Sequence, residues 1–526
     1  MIIFEDEHLL VINKPAGVNT HSPSPFAGEG IYEWLKNREP RWSKLAIIHR
    51  LDKETSGIMI FGKTTLANRS LTSQFSERNV SKKYLLLTDR KFSFKDLHVK
   101  SVLVRAGEKY LSRPIQACGE HAETRFKKLK PDSNGKTFVE AEPITGKTHQ
   151  IRVHAAANGF TILGDTLYEG TAAARVFLHA AEISLTHPEN GKPITFVAPK
   201  NFSEDSRLEI RNSLIDPELT DAFRLIHGAA DGWPGWYVER LGKFLLSQSE
   251  QTLNPAQHKV LETLRVKFSL RGVYHKIHSR RVRQISSVQA SPQLILGESA
   301  PNEFAVRENG IQFLLSFNEG YSVGLFLDQR ENRRRILTSY IAPEYFLRSD
   351  NGEFSVLNTF AYTCGFSVCA AKAGAIVTSL DLSKKYLEWG KRNFALNGID
   401  PTRHDFIYGD AFDWMKRLVK KERQFDLIIL DPPTFSQSKE QGTFQAEKDY
   451  GKLVSAALPL VKNNGVLLAS TNAATLKPEK FLEMISAAAI SAKRKISHQH
   501  YVPQPPDFPI TREEPAYLKT VWLRIP

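Results

Sequence analysis

The six residues Phe425-Asp-Leu-Ile-Ile-Leu430 narrow the possible folds more than any other segment of this chain. They are too few for a buried helix, and their apolar side chains fall on both faces of a strand, so both faces must be covered. Two more short apolar runs, at 355–359 and 377–380, precede it, with stretches between them that can hold helices. Strand, Gly-containing loop and helix in alternation predict a doubly wound α/β domain around a parallel sheet. Ligands in such sheets bind outside the carboxyl ends of the strands. Carboxylates follow successive strands here: Asp381, then Asp410 in Gly409-Asp-Ala-Phe412, then Asp431 in Asp-Pro-Pro-Thr434. Each alone reads as a helix cap or loop residue; the ordered set describes a binding site. The turn within Val356-Leu-Asn-Thr-Phe-Ala-Tyr-Thr-Cys-Gly-Phe366 has one glycine and fails the GxGxxG dinucleotide pattern. Asp381 lies about twenty residues beyond that turn, where an acidic side chain can accept both ribose hydroxyls.

Residues 1–202 read as strand-rich. Segments 121–130 and 137–142 flank Pro131-Asp-Ser-Asn-Gly135 and predict a hairpin. A helix is expected next, capped by Thr148, with Ile151, Ala155 and Ala156 on its buried stripe and Gly159 ending it. It sets His149 and Arg152 on one face. Asn201-Phe-Ser-Glu-Asp-Ser206 is the linker candidate. A chain of 526 residues predicts about three domains, divided here as 1–202, 203–320 and 321–526.

Lys and Arg number 71 against 57 Asp and Glu, a net charge of +14 that points to a polyanionic partner. Three cysteines, Cys118, Cys364 and Cys369, exclude a disulfide framework and a CxxC zinc cluster. The acidic start and the lack of any apolar run near the ~18 residues of a membrane span predict a cytoplasmic protein with no membrane partner. No obligate protein partner is evident.

Two segments concentrate polar and basic residues among apolar ones: Ile48-His-Arg-Leu-Asp52-Lys-Glu-Thr-Ser-Gly57 and Ile144-Thr-Gly-Lys-Thr-His-Gln-Ile-Arg-Val-His154. The first resembles the HRLD-type signature of the RluA family of pseudouridine synthases, and the second its TGRTHQIRVH motif with Lys147 for the usual Arg. The opening Phe4-Glu-Asp-Glu-His-Leu-Leu-Val-Ile-Asn-Lys-Pro-Ala-Gly17, Lys83-Tyr84, Gly164-Asp-Thr-Leu-Tyr168, Phe177-Leu-His-Ala180 and His187-Pro188 are also similar to that family. The resemblance implies an α+β fold on a mixed, mainly antiparallel sheet, and conversion of uridine to pseudouridine without metal. It assigns Asp52 as the catalytic carboxylate, Arg152 as its partner and Tyr84 as the residue against the uracil. Arg50 would fill the space the flipped base leaves or hold its phosphate.

The strand-end aspartates resemble those of class I S-adenosylmethionine-dependent methyltransferases, which implies a Rossmann-like C-terminal domain and that cofactor. Asp381 would bind ribose, Asp410 would mark the adenine edge and Asp431 would line the methyl-transfer site; Asn358, Phe360 and Gly365 belong to the cofactor turn. More narrowly, Phe223-Arg-Leu-Ile-His-Gly-Ala-Ala-Asp-Gly-Trp-Pro-Gly235, Gly324-Leu-Phe-Leu-Asp-Gln-Arg330 with Asn332-Arg333, and Asp431-Pro-Pro-Thr-Phe-Ser-Gln-Ser-Lys439 are similar to the RlmI and RlmK group of large-subunit ribosomal RNA methyltransferases, with their central α+β domain. By that likeness Gln329 and Arg330 approach the cofactor.

Methylating cytosine at C5 needs a thiolate to add to C6. RlmI-type enzymes carry a cysteine on the strand after Asp-Pro-Pro; here that stretch, Leu468-Ala-Ser-Thr-Asn-Ala-Ala474, has none. The Asp-Pro-Pro string resembles the guanine-N7 methylating RlmK type, so guanine N7 in 23S rRNA is the expected target, with 5-methylcytosine the alternative. A basic run, His275-Lys-Ile-His-Ser-Arg-Arg-Val-Arg283, can contact phosphates. The expected protein is a bifunctional RNA-modifying enzyme acting on large-subunit rRNA, with tRNA open for the synthase half. The alternative is a methyltransferase that keeps the synthase domain only as an RNA-binding module.

Overall fold

The hairpin expected around Gly135 forms: Glu120–Pro131 and Thr137–Pro143 pair antiparallel, and Gly135 takes φ +76°. The computed structural model describes the chain apart from residues 132–134, 200–201, 203–205, 278–290, 321, 349–351 and 439–441. Most of the linker candidate, positions 278–283 of the basic run and Lys439 thus lie outside the described residues. Two compact units emerge, 1–23 with 29–214 and 24–28 with 215–526.

The first unit is built on an eleven-stranded, mostly antiparallel sheet. Among the described residues its one parallel pairing joins Ser56–Gly62 to Leu178–Thr186, with Gly57 opposite Ala180. Gly57 has φ +114°, and a Cβ there would stand 2.3 Å from the Ala180 carbonyl oxygen, so only glycine fits. On the other side of Ala180 stands Tyr84, in Ser81–Thr88. This register sets Tyr84 in the same row as the Ser-Gly turn that follows Asp52.

The helix expected after Thr148 is Gln150–Ala157. Its N-cap is His149 in the left-handed region, φ 56°, with no side-chain cap, and not Thr148. The reason lies in Gln150. Its Oε1 accepts the Lys147 N–H at 3.0 Å, while its amide donates to the Glu123 carbonyl and Thr124 Oγ1, both at 2.9 Å, tying the helix start to the neighbouring strand. Ile151 and Ala155 are buried as expected, Ala156 only half-buried.

The second unit holds a five-stranded sheet over 222–297 and a seven-stranded sheet. In the latter, Ser355–Thr359 and Phe425–Leu430 form over the expected residues, and Ile376–Asp381 contains the third expected strand. With Asp405–Tyr408 and Val461–Thr471 they pair in parallel; Lys519–Ile525 and His498–Val502 add antiparallel strands at one edge. Both faces are covered. Val356, Leu427 and Ile429 enter one buried cluster, which also contains Ala222, Phe244 and Tyr274 of the five-stranded sheet; Leu357, Ile428 and Leu430 enter another.

Gly57→Ala is expected to destabilise the chain by at least about 2 kcal/mol, because the added methyl meets backbone that cannot move aside. Calorimetry of the full chain checks this: one transition should drop, and unchanged transitions would contradict the close approach.

Candidate active sites

In the first unit the segment before Gly57 is staked from below. The Lys53 carbonyl accepts the Gly17 N–H at 2.7 Å and the Lys14 ammonium at 3.3 Å. Lys14 is fully buried, donates also to the Pro15 and Val18 carbonyls, and is pushed down to about 7 by that burial. His49 stacks on Phe75 and accepts the Ile60 N–H at 3.1 Å; it lines the cleft half-buried, and burial pushes it down to about 3, so this motif histidine is a neutral acceptor. Arg50, next to it, is exposed.

Asp52 faces Arg152 Nη1 at 3.5 Å and His149 Nε2 at 3.9 Å. Arg152 is buried and engages Asp165 bidentately, Nε to Oδ2 at 2.8 Å and Nη2 to Oδ1 at 2.7 Å. Asp165 is itself 1% exposed. The guanidinium also lies 5.2 Å over the Tyr168 ring. Burial alone would discharge Arg152; the carboxylates around it raise its pKa instead. His149 Nδ1 is 2.8 Å from the Tyr168 hydroxyl. Tyr84 is pushed well above its ordinary pKa, first by burial and then by Asp52, so its hydroxyl keeps its proton. Arg50, Asp52, Tyr84, His149 and Arg152 all line one cleft of about 920 Å³. Asp165 is the residue sequence reasoning missed; its signal was the Gly-Asp pair at 164–165, read only as part of a family segment.

In the second unit the turn after Ser355–Thr359 alternates in handedness: Phe360, Tyr362 and Cys364 have φ 56°, 48° and 63°. Such alternation turns successive backbone N–H groups into one hollow that suits an anionic group, and the helix Gly365–Lys372 follows. Asp381 Oδ2 accepts the Tyr362 N–H at 2.7 Å and Oδ1 the Ser383 N–H at 2.8 Å. Each oxygen keeps a further lone pair for a hydroxyl donor. Burial raises its pKa. Asn358 spends its amide on Ser367 Oγ at 2.8 Å. Asp410 caps the helix Ala411–Lys420, Oδ1 accepting two backbone N–H groups.

Asp431 Oδ2 accepts the Gln329 amide at 3.1 Å, and the same amide reaches Ser470 Oγ at 2.8 Å. Burial, with help from the nearby Asp328 carboxylate, pushes Asp431 up to about 7. Asp328, which sequence reasoning passed over inside its own motif, accepts the Tyr517 hydroxyl at 2.9 Å and is raised by burial. Arg330 is paired with Asp507 and Glu331, and among the described residues it makes no ion pair with the three strand-end carboxylates. Cys364 and Cys369 are buried thiols pushed up to about 12, and Cys118 is exposed in the first unit. Among the described residues no group of His, Cys, Asp or Glu could hold a metal ion, and no helix is long and apolar enough to cross a membrane.

A parallel sheet with an N–H-lined first turn and a carboxylate after the next strand is an arrangement suited to a nucleoside cofactor; the donors and acceptors present fit the carboxylate and ribose of S-adenosylmethionine. Residues 251–524 match the family model of S-adenosylmethionine-dependent methyltransferases, and the chain belongs to that family. Residues 8–157 match the model of RNA pseudouridylate synthases, so this enzyme carries both catalytic domains. The ribosomal RNA large subunit methyltransferase of Deinococcus radiodurans is 31% identical over 61% of this chain and 78% of that protein. The ribosomal RNA large subunit methyltransferase K/L of a Psychrobacter species is 46% identical over 171 residues, 32% of this chain and 20% of its own. Among solved structures, SMU.776, assigned as a methyltransferase and complexed with SAH, is 27% identical with a TM-score of 0.53, covering 65% of this chain and 87% of that one.

Asp165→Asn should put a neutral amide in place of the bidentate partner of Arg152 and leave only the longer contacts to Asp52 and Glu54, at 3.5 and 3.7 Å, a loss of about 1–3 kcal/mol. Denaturant unfolding followed through Trp34 and Trp42 of the same unit measures it. A shift below about 1 kcal/mol would mean the pair is not what holds Arg152.

Proposed function

We propose that this chain modifies large-subunit ribosomal RNA twice, converting a uridine to pseudouridine in the Asp52 cleft and methylating guanine N7 at the carboxyl ends of the parallel strands. The arrangement that carries the first half is Asp52 beside Arg152 and His149 in one cleft with Tyr84. There Asp52 serves as the catalytic carboxylate while the N1–C1′ bond breaks, the base turns and C5–C1′ forms, C5 giving up its proton and N1 gaining one, so that the product is an isomer of the substrate. Arg152 holds the negative charge opposite, protonated Tyr84 lies against the uracil, and exposed Arg50 takes the space the base vacates or its phosphate. We assign these roles to 1–202 and methyl transfer to 321–526, with 203–320 as the central domain between them.

For the second half, S-adenosylmethionine supplies an electrophilic methyl group on sulfur. Asp381 would accept the ribose hydroxyls, Asp410 would border the adenine, and the turn through Phe360 and Gly365 would receive the methionyl carboxylate, with Asn358 bracing it. Gln329 orients Asp431; Arg330 acts from further back, through Asp507. The choice of nitrogen over carbon rests on the cysteines. Both in this unit are buried thiols raised to about 12, so neither offers the thiolate that attack at C6 requires. Methylating N7 needs no nucleophile from the protein, only positioning, and leaves a cation on the base that Asp431 and Asp328 can offset. The printed names of the relatives support large-subunit rRNA as the substrate, and they include methyltransferase I proteins as well as the K/L protein.

Asp52→Ala should abolish pseudouridine and leave methylation intact, and Asp431→Ala the converse. Mass spectrometry of rRNA from strains carrying each substitution reads both, and normal pseudouridine in the Asp52 strain would sink the synthase half. Asp431 is ionised above about pH 7 and neutral below, so methylation should fall as the pH drops through 7. A rate flat from pH 6 to about 8 would remove Asp431 from that role.

A further inference from the structure

Lys82 and Tyr84 both line the Asp52 cleft, and Lys83 between them does not. The cause is the two-residue period of Ser81–Thr88: Lys83 turns to the opposite face and pairs with Glu182 at 2.8 Å. Lys82 turns inward, half-buried, and its neighbours give it no charge partner. His49 beside it is a neutral acceptor already used by the Ile60 N–H. The Phe75 ring is 6.0 Å away. On the far side the chain is glycine, and a Cβ built at Gly146 would lie only 3.6 Å from Lys82 Nζ. Among the described residues no carboxylate, carbonyl or hydroxyl pairs with this ammonium. Burial alone drives its pKa down, with no acidic residue restoring it.

A half-buried cation without a counter-charge carries a desolvation cost that a paired one offsets. The missing anion can come with the ligand. Successive residues on one strand face are about 6.6 Å apart, a spacing comparable to that from a base to the phosphate of its own nucleotide. With Tyr84 against the uracil, Lys82 stands one such step along the same wall. We propose that Lys82 is a phosphate subsite of the synthase cleft, pairing with a backbone phosphate of the target nucleotide and not with any group of the protein. This rests on the synthase reading for the position of the base, while the anion subsite itself rests on Lys82 alone. Gly146 keeps room for the phosphate beside the ammonium. Paired with it, Lys82 regains the charge partner that it lacks without RNA.

The test uses the full chain and two variants, Lys82→Met, which keeps the apolar stem, and Lys82→Arg, which keeps the charge. Binding of a fluorescent single-stranded oligouridylate is followed against salt. Lys82→Met should weaken binding about tenfold and lower the slope of log affinity against log salt by about 0.7, the value of one phosphate contact on a single strand. Lys82→Arg should restore both. In turnover on an unmodified large-subunit rRNA transcript, Lys82→Met should raise KM with kcat within about twofold. Equal affinity and slope in wild type and Lys82→Met overturn the subsite, as does a fall in kcat alone. Asp52→Asn is run beside them. If it leaves pseudouridine formation intact the synthase reading fails, while the salt slope still decides Lys82.

Discussion

The helix Arg330–Thr338 reads Arg-Glu-Asn-Arg-Arg-Arg-Ile-Leu-Thr, and its first seven residues are all buried. Four guanidinium groups out of water must each be paired, and two of them find their carboxylates far along the chain. Arg330 holds Asp507, Arg333 holds Glu308 through two hydrogen bonds, Arg334 holds Glu331, and Arg335 donates to the Ile341 and Glu331 carbonyls. Removing one partner of such a pair costs about 3–5 kcal/mol, because the other charge stays buried. Between these pairs, Asn332 donates to Gln329 Oε1 at 2.7 Å and accepts from Trp522 Nε1 at 3.1 Å. The Gln329 amide is thereby turned so that its Nε2 faces Asp431 and Ser470. The orientation of the proposed methyl-transfer carboxylate therefore depends on charge pairing a turn or more away from it.

The first unit solves the same problem with fewer groups. Arg152 spends two nitrogens on Asp165 and leaves Nη1 for Asp52 at 3.5 Å. A guanidinium tied to Asp52 alone would follow any movement of that side chain; one clamped by a second, fully buried carboxylate stays in place while Asp52 reacts. The loop is held by backbone as well, through the Lys53 carbonyl and the Thr20 hydroxyl, which both accepts from and donates to Leu51. Asp52 thus stands between two braced elements, the backbone of its own loop and the clamped Arg152.

The strands at 355–359 and 425–430 were legible because apolar runs of that length, bounded by polar loops, have no alternative to a covered sheet. The carboxylates after them were legible for the same reason: loop positions at strand ends follow once the strands are known. The polar helix at 330–338 was not. Its composition reads as a solvated face, and only long-range partners such as Glu308 and Asp507 reveal that it is buried. His49 misleads in the opposite direction, since its place in a catalytic motif hides its work as an acceptor for Ile60. Lys82 is hidden in the sequence because Lys83-Tyr84 reads as one string, whereas a strand face is shared by residues two apart.

The two proposed sites make opposite use of a carboxylate. Asp52 faces a guanidinium and an imidazole, and among the described residues no second carboxylate is paired with it. Asp431 faces another carboxylate, an amide and a hydroxyl, and its ionisation is moved up to about 7. A group poised there responds to charge that appears beside it. Transfer of a methyl group to a neutral ring nitrogen puts a positive charge on the base, and a cation within a few ångströms would draw Asp431 towards its ionised form by several kilocalories' worth of attraction in a water-poor site. The carboxylate would then bind the product side of the reaction more strongly than the reactant side, which is the condition for lowering the barrier between them. Carbon methylation through a thiolate adduct builds no such cation, so the electrostatics around Asp431 and the burial of both thiols favour the same chemistry for independent reasons.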